Sequence, residues 1–295
     1  MPQPSPLSAQ ALADLLIRAD SSVHLGMNAC LQPQSLRSIS IPVPTLTMAL
    51  EGQKTMIIGE STYISSKGAA ILIPAHTEFR IENVPSPQTG RFFGVSLRFD
   101  PETITQFRQI YGATFAEWDT RPKWHMPAQG FLLDALAAWV DWTQRYGTDT
   151  NHSRHRLLEI LLLLARHGYG GNLLLEQTDR WAQRIENLLM LDPAREWRIG
   201  EVCARLGVSE STLRRHLGAE DVGFRDLLEK VRLETGLMHV METDLQIAQV
   251  AMACGYQSQS RFAERFRLRF GMSPVALRQT RRAGGADVVS LARPG

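Results

Sequence analysis

Between residues 36 and 99 the apolar positions of this chain alternate with polar ones in short runs, whereas from 179 to 282 they recur three and four apart. The first period is that of half-buried strands, the second that of helices with one buried stripe. The alternating runs are Leu36 to Ile41, Thr45 to Leu50, Lys54 to Ile58 and, in part, Thr77 to Ile81; Ala69 to Ile73 and Phe92 to Phe99 complete the set. Turn signals lie between them at Gly52, Gly59, Gly68, Pro85–Pro87 and Gly90. Many short strands at this spacing predict an antiparallel sandwich or barrel.

Helical patterns flank the strands. Ser8 caps a short one over 8–20 with Leu12, Leu15, Leu16 and Ala19 on one face, and Pro101 opens another that runs to about Tyr111. A loop from Glu117 to Pro127 holds Trp118, Trp124 and His125. Two longer helices follow, Phe131 to Arg145 and Arg154 to Arg166, and the core of the second, Leu157 to Leu164, is apolar nearly all round. Such a helix is buried on more than one side. It packs either under the strands or against a second subunit, and a homodimer interface is the favoured expectation. Gly168, Gly170 and Gly171 then break the pattern. The expected domains are 1–171, a linker at 172–178, a helical domain at 179–282 and a disordered tail at 283–295.

Within the helical half one phrase occurs twice. Glu201 to Leu217 and Ala248 to Phe266 each read as an apolar-periodic helix, a glycine (Gly207, Gly255), a serine cap (Ser209, Ser258) and a second helix. That is a helix-turn-helix, written twice. In the first copy Leu213 and Leu217, four apart, point inward. At about 100° per residue the opposite face is Ser211, Arg215 and Gly218, flanked by Thr212 and Arg214. In the second copy Phe262, Phe266 and Phe270 are the inward stripe; Ser260 and Glu264 face outward, flanked by Arg261, Ala263 and Arg267, with Gln259 in the first turn. Arginine pairs with guanine or holds phosphate, glutamine pairs with adenine, and glutamate accepts from a cytosine amino group. Between the copies, Phe224 to Met241 forms one helix, about 27 Å long at about 1.5 Å per residue. A rod of that length holds two reading helices near one groove repeat of about 34 Å apart on double-stranded DNA.

Charge sharpens this picture where the net value of +2 does not. After Tyr256 stand Arg261, Arg265, Arg267, Arg269, Arg278, Arg281, Arg282 and Arg293 against Glu264 and Asp287 alone. A basic end suits a polyanion, and its bland alternative is a solvated helix face. In 295 residues with 44% apolar content there is room for two ordinary domains. No uncharged apolar run reaches the roughly 18 residues of a membrane span, and the N-terminus lacks a signal-peptide pattern. A cytoplasmic protein without a membrane role is the expectation.

The run Gly255 to Phe266, followed by Arg269-Phe-Gly-Met-Ser-Pro274 and Arg278, resembles the signature of the AraC/XylS family of bacterial transcription regulators. The likeness covers about 100 residues, from 179 to 282, and includes the one-residue-longer turn of the second copy. It implies two helix-turn-helix units joined by a helix. It implies that Ser211, Arg214 and Arg215, and Gln259, Ser260, Arg261 and Glu264, are the DNA-contacting positions; Thr212 and Arg267, which flank them, complete the expected DNA-binding set. Members often carry a basic residue where this chain has Glu264, so that residue reads cytosine, pairs with Arg261 or Arg267, or leaves its helix weak on DNA. The N-terminal half resembles the family's sensor halves more diffusely. The fold class implied is α+β with two domains: a cupin-like antiparallel β-barrel with a helical dimerisation segment, then an all-α double helix-turn-helix domain. Activation through contact with RNA polymerase is implied more often than repression.

Other chemistry finds little purchase. Cys30, Cys203 and Cys254 are widely spaced and read as small buried hydrophobes. A metal-bearing cupin needs clustered histidines with a carboxylate, and the strands offer His76 with Glu78; His24 and His125 lie elsewhere, and His152 and His155 lack evident further ligands. No metal site, cofactor, phosphate loop or nucleophile elbow is expected, nor an enzyme. A cupin-type enzyme with a DNA-binding tail remains the alternative from another class. The strand interior (Met48, Leu50, Met56, Ile58, Ile71, Ile73, Phe79, Ile81, Phe93 and Val95, or their out-of-phase neighbours) either fills a solid core or leaves space for a small apolar or amphipathic effector. In the first case the half only dimerises.

Overall fold

The computed structural model describes residues 8–16, 25–115, 119, 121–147, 149–174, 180–283 and 286–287. The chain divides into two compact units, one of residues 1–36, 43–176 and 279–295, the other of 37–42 and 177–278.

The first unit is built on antiparallel strands: β1 (Leu25–Cys30), β2 (Gln34–Ser40), β3 (Thr45–Glu51), β4 (Gln53–Ile58), β5 (Ser61–Ser66), β6 (Ala70–Ile73), β7 (Glu78–Val84), β8 (Phe92–Arg98) and the short β9 (His125–Met126). They form two ladders, β1-β8-β3-β6-β9 and β2-β7-β4-β5. This is the expected cupin-like arrangement, as two sheets that do not close into one barrel. β3 lies in the middle of its sheet with every residue buried, and its pairing with β8 shifts register between Ala49 and Glu51. β7 alternates cleanly, with Phe79, Ile81 and Asn83 inward and the residues between them outward. The segment read as a loop before Pro127 contributes β9, because His125 and Met126 pair with Ile71 and Ala70; Trp118 lies outside the described residues.

The helices cover one sheet. They are α1 (Ala9–Leu16), α2 (Pro101–Phe115), α3 (Gly130–Tyr146), α4 (Thr150–Arg166) and a single turn, α5 (Gly171–Leu174). Ser8 Oγ caps α1 by accepting from Ala11 N at 3.1 Å. Leu157, Ile160, Leu161 and Leu164 of α4 join Leu132, Leu136 and Trp139 of α3 and Leu46, Met48 and Leu72 of the sheet in one core. Most of the apolar circumference of α4 is thus used within its own chain, the first of its two expected roles, while Leu162 and Leu163 stay half-buried. The expected linker differs at its start: residues 171–174 are a buried helical turn, anchored where Asn172 Nδ2 donates to Leu72 O at 2.9 Å. Residues 175–178 lie outside the described set. The expected tail differs too, since β10 (Arg282–Ala283) pairs with β11 (Ala286–Asp287).

The second unit is helical: α6 (Trp181–Leu189), α7 (Ile199–Leu206), α8 (Glu210–Ala219), α9 (Phe224–Glu242), α10 (Ile247–Ala253), α11 (Gln259–Phe270) and α12 (Pro274–Gln279). α7 and α8 form the first helix-turn-helix, α10 and α11 the second, and α9 joins them. Leu213 and Leu217 pack with Ile185, Leu189, Val202, Leu227 and Val231 into one cluster, while Phe262, Phe266 and Phe270 are fully buried.

Candidate nucleic-acid interface

Each reading helix is set by the same local chemistry. α7 ends on Gly207, whose φ of 67° is left-handed and whose N–H returns to Cys203 O; α10 is followed by Gly255 at φ 76°. A side chain there would be strained, so glycine turns the chain. Ser209 then accepts from Thr212 N at 3.2 Å and Ser258 from Arg261 N at 3.4 Å. These hydroxyls satisfy N–H groups that the first helical turn leaves open.

With the apolar stripes buried, the opposite faces are turned to solvent. On α8, Ser211, Arg214 and Arg215 are exposed and Thr212 is half-buried. On α11, Gln259, Ser260, Arg261, Glu264 and Arg267 are exposed. Their environments differ. Arg214 is held by Glu210, four residues before it, at 2.5 Å. Ser211 Oγ lies 3.0 Å from Ser209 Oγ. Among the described residues Arg215, Arg261 and Arg267 have no ion-pair partner, and Glu264 pairs with neither Arg261 nor Arg267. Three uncommitted guanidiniums on two helix faces, among small hydroxyls, suit phosphate and guanine.

Much of the basic run that marked the C-terminal half is spent inside the protein. Arg265 forks onto Glu229 of α9 through both carboxylate oxygens. Arg269 reaches Glu234 of α9 at 2.9 Å. Arg278, buried, donates to Val240 O at 3.1 Å and Leu245 O at 3.0 Å. These three arginines fasten the second reading unit to the connecting helix. Sequence reasoning missed them because a helix surface and a helix contact carry the same arginine; only the acidic residues on α9 hint at the pairing. α9 spans 19 residues, about 28 Å at about 1.5 Å per residue.

At the centre of this fastening lies a buried cluster. Lys230 of α9 binds Glu186 of α6 at 2.7 Å, one turn from the Glu234–Arg269 pair. Burial pushes the Glu234 carboxyl up to about 7, against the pull of Lys230 and Arg269 and with some help from Glu186. Burial outweighs pairing here, as it often does for buried ions. A carboxyl with a raised folded-state pKa contributes stability at low pH that is lost as pH rises towards that pKa. The parent's stability relative to Glu234→Gln should therefore fall between pH 4.5 and pH 7. Urea unfolding of both proteins across that window checks this; parallel curves would show that Glu234 ionises as freely folded as unfolded.

Comparison with known proteins agrees with this geometry. A family model described as a helix-turn-helix domain matches residues 202–280. The urease operon transcriptional activator of Escherichia coli is 31% identical over 109 residues, 37% of each chain. The HTH-type transcriptional regulator YdeO of Escherichia coli K12 is 31% identical over 148 residues, 48% of this chain and 55% of that one. The matches thus span between about a third and a half of these relatives. In three dimensions, ToxT from Vibrio cholerae, solved with an unsaturated fatty acid bound, aligns over 91% of this chain and 99% of its own, with a TM-score of 0.62 at 13% identity. At that identity the likeness is one of fold. No described helix is long and apolar enough to cross a membrane.

Proposed function

We propose that this chain, whose C-terminal half resembles the AraC/XylS family, is a sequence-specific DNA-binding transcription regulator and not an enzyme, working in the cytoplasm without a cofactor. The first unit dimerises and takes a small apolar or amphipathic effector; the second reads promoter DNA and activates transcription by contact with RNA polymerase. The relatives named as a transcriptional activator and a transcriptional regulator support the DNA-binding half of this reading. The fatty acid in the ToxT structure supports an amphipathic effector. A ligand shifts the regulator only as far as its affinity differs between the two states it biases.

One observation carries the proposal: two serine-capped helices of the second unit turn to solvent arginines that have no ion-pair partner among the described residues, while their apolar stripes are buried beneath them. Affinity comes mostly from arginine–phosphate contacts and weakens with salt. Arg215→Ala is expected to cost about 1–3 kcal/mol on a specific site if it reads a base, and much less on unrelated duplex. Genome-wide mapping of bound sites supplies the specific duplex, and titration at two salt concentrations separates base reading from phosphate holding. Parent-like binding by both Arg215→Ala and Ser260→Ala would mean that these faces do not read DNA.

A further inference from the structure

The two reading units meet directly as well as through α9, and one arginine stands in the contact. Arg232, in the middle of α9, sends its guanidinium to the loop between α6 and α7. Its Nε donates to Pro193 O and its Nη2 to Arg195 O, each at 3.0 Å. Among the described residues it forms no ion pair. Its charge is spent on two carbonyls two residues apart, a span that suits a planar fork.

The same guanidinium meets the turn of the second reading unit. A side-chain carbon added at Gly255 would lie 2.8 Å from Arg232 Nη2 and 2.9 Å from Ala194 O. Gly255 stands at φ 76°, where the turn alone calls for glycine. The missing side chain also lets the turn lie against the loop. The loop in its own right is tied to the first reading unit. Arg195 pairs with Glu201 of α7 at 2.6 Å and lies 5.0 Å from the centre of the Trp197 ring. Trp197 is buried in the cluster beneath α8, and its Nε1 donates to Asp192 O at 2.8 Å. A continuous set of contacts therefore runs from α7, through this loop and Arg232, to the turn that leads into α11. Two bodies joined by one rod can swing about its ends; a second tie between them removes that freedom.

We propose that Arg232 is a positioning residue that fixes the offset and rotation between α8 and α11, so that the protein accepts two half-sites at one spacing only. It acts through the two reading helices. This rests on the reading of the helical half as a DNA-binding unit, and it names what sets that unit's choice of half-site spacing. One base pair inserted between half-sites moves the second by about 3.4 Å and turns it by about 34°. Two helices locked together cannot follow that displacement.

The test uses the full-length chain and a duplex that it selects from a random-sequence pool. One base pair is then inserted or deleted between the two footprinted half-sites. The parent should bind the altered duplexes at least about tenfold more weakly than the selected one. Arg232→Gln, which cannot bridge both carbonyls, should narrow that penalty to about threefold, since loosened helices follow the moved groove. Arg232→Lys keeps the charge without the fork and should fall between the two. A merely structural role would weaken every duplex in parallel and leave the ratio unchanged. The assignment is overturned if the parent tolerates the altered spacings, or if neither variant narrows the penalty, whether by keeping the parental ratio or by losing every duplex together. A parent that selects no sequence from the pool removes the regulator reading itself. A parent that selects one yet binds all three spacings alike removes this assignment alone.

Discussion

Phe262→Ala should unfold the second reading unit at denaturant concentrations the parent survives, and should abolish specific DNA binding. The ring is fully buried. It lies 5.5 Å from Phe266 and 5.4 Å from Tyr256, centre to centre. Across the interface α9 carries Gly236, and a methyl group there would lie 2.7 Å from the Phe262 ring. The glycine is where the connecting helix makes room for the aromatic. Removing such a ring costs about 3–5 kcal/mol, the lost transfer energy plus the cavity left behind. Against a domain stability of about 5–15 kcal/mol that is a large share. Phe262→Leu keeps most of the volume and should lose far less. Urea unfolding gives the energies, and Trp181 and Trp197, both packed in the cluster beneath the first reading helix, report whether that unit survives. A Phe262→Ala protein within about 1 kcal/mol of the parent would show that the stripe does not anchor α11.

The second large effect is expected from Arg278. Its guanidinium bridges Val240 O, in the last turn of α9, to Leu245 O in the connection to α10. It thereby ties the last turn of α9 to the connection that follows it. Arg278→Met removes both of these donations from a buried position, at about 1–3 kcal/mol. Arg278→Lys keeps the charge, yet its single ammonium lacks the planar fork that spans both oxygens, so it should recover less than half of the loss. Denaturant unfolding gives the energies. Amide exchange over residues 243–250 locates the damage, which should begin at the start of the second reading unit. Full recovery by lysine would mean that charge alone matters at this site.

How much of this was legible beforehand differs from element to element. The two reading helices were legible because their signals are local: a glycine that permits a left-handed turn, a serine three residues before the N–H it caps, and apolar residues four apart. Nothing outside a window of about twenty residues is needed to place Leu213, Phe262 or Ser258. The strands of the first unit were legible by alternation for the same reason. Alternation put Lys54 in phase with Met56 but left open which phase faces inward; the structure buries both.

By itself, then, the sequence determined the division into a strand-rich and a helical half, the duplicated motif and its likeness to a family of regulators. Only the tertiary structure decided that Arg265, Arg269 and Arg278 are fasteners while Arg215, Arg261 and Arg267 stay open. It alone decided that most of α4 is buried in its own chain, that the sheets remain two, and that Lys54 is buried with, among the described residues, Asn83 as its acceptor. The reason is range. Caps and periodicity are settled by neighbours along the chain, whereas the partners of Lys230, Arg265 and Arg269 lie 35 to 44 positions away, which no local pattern contains.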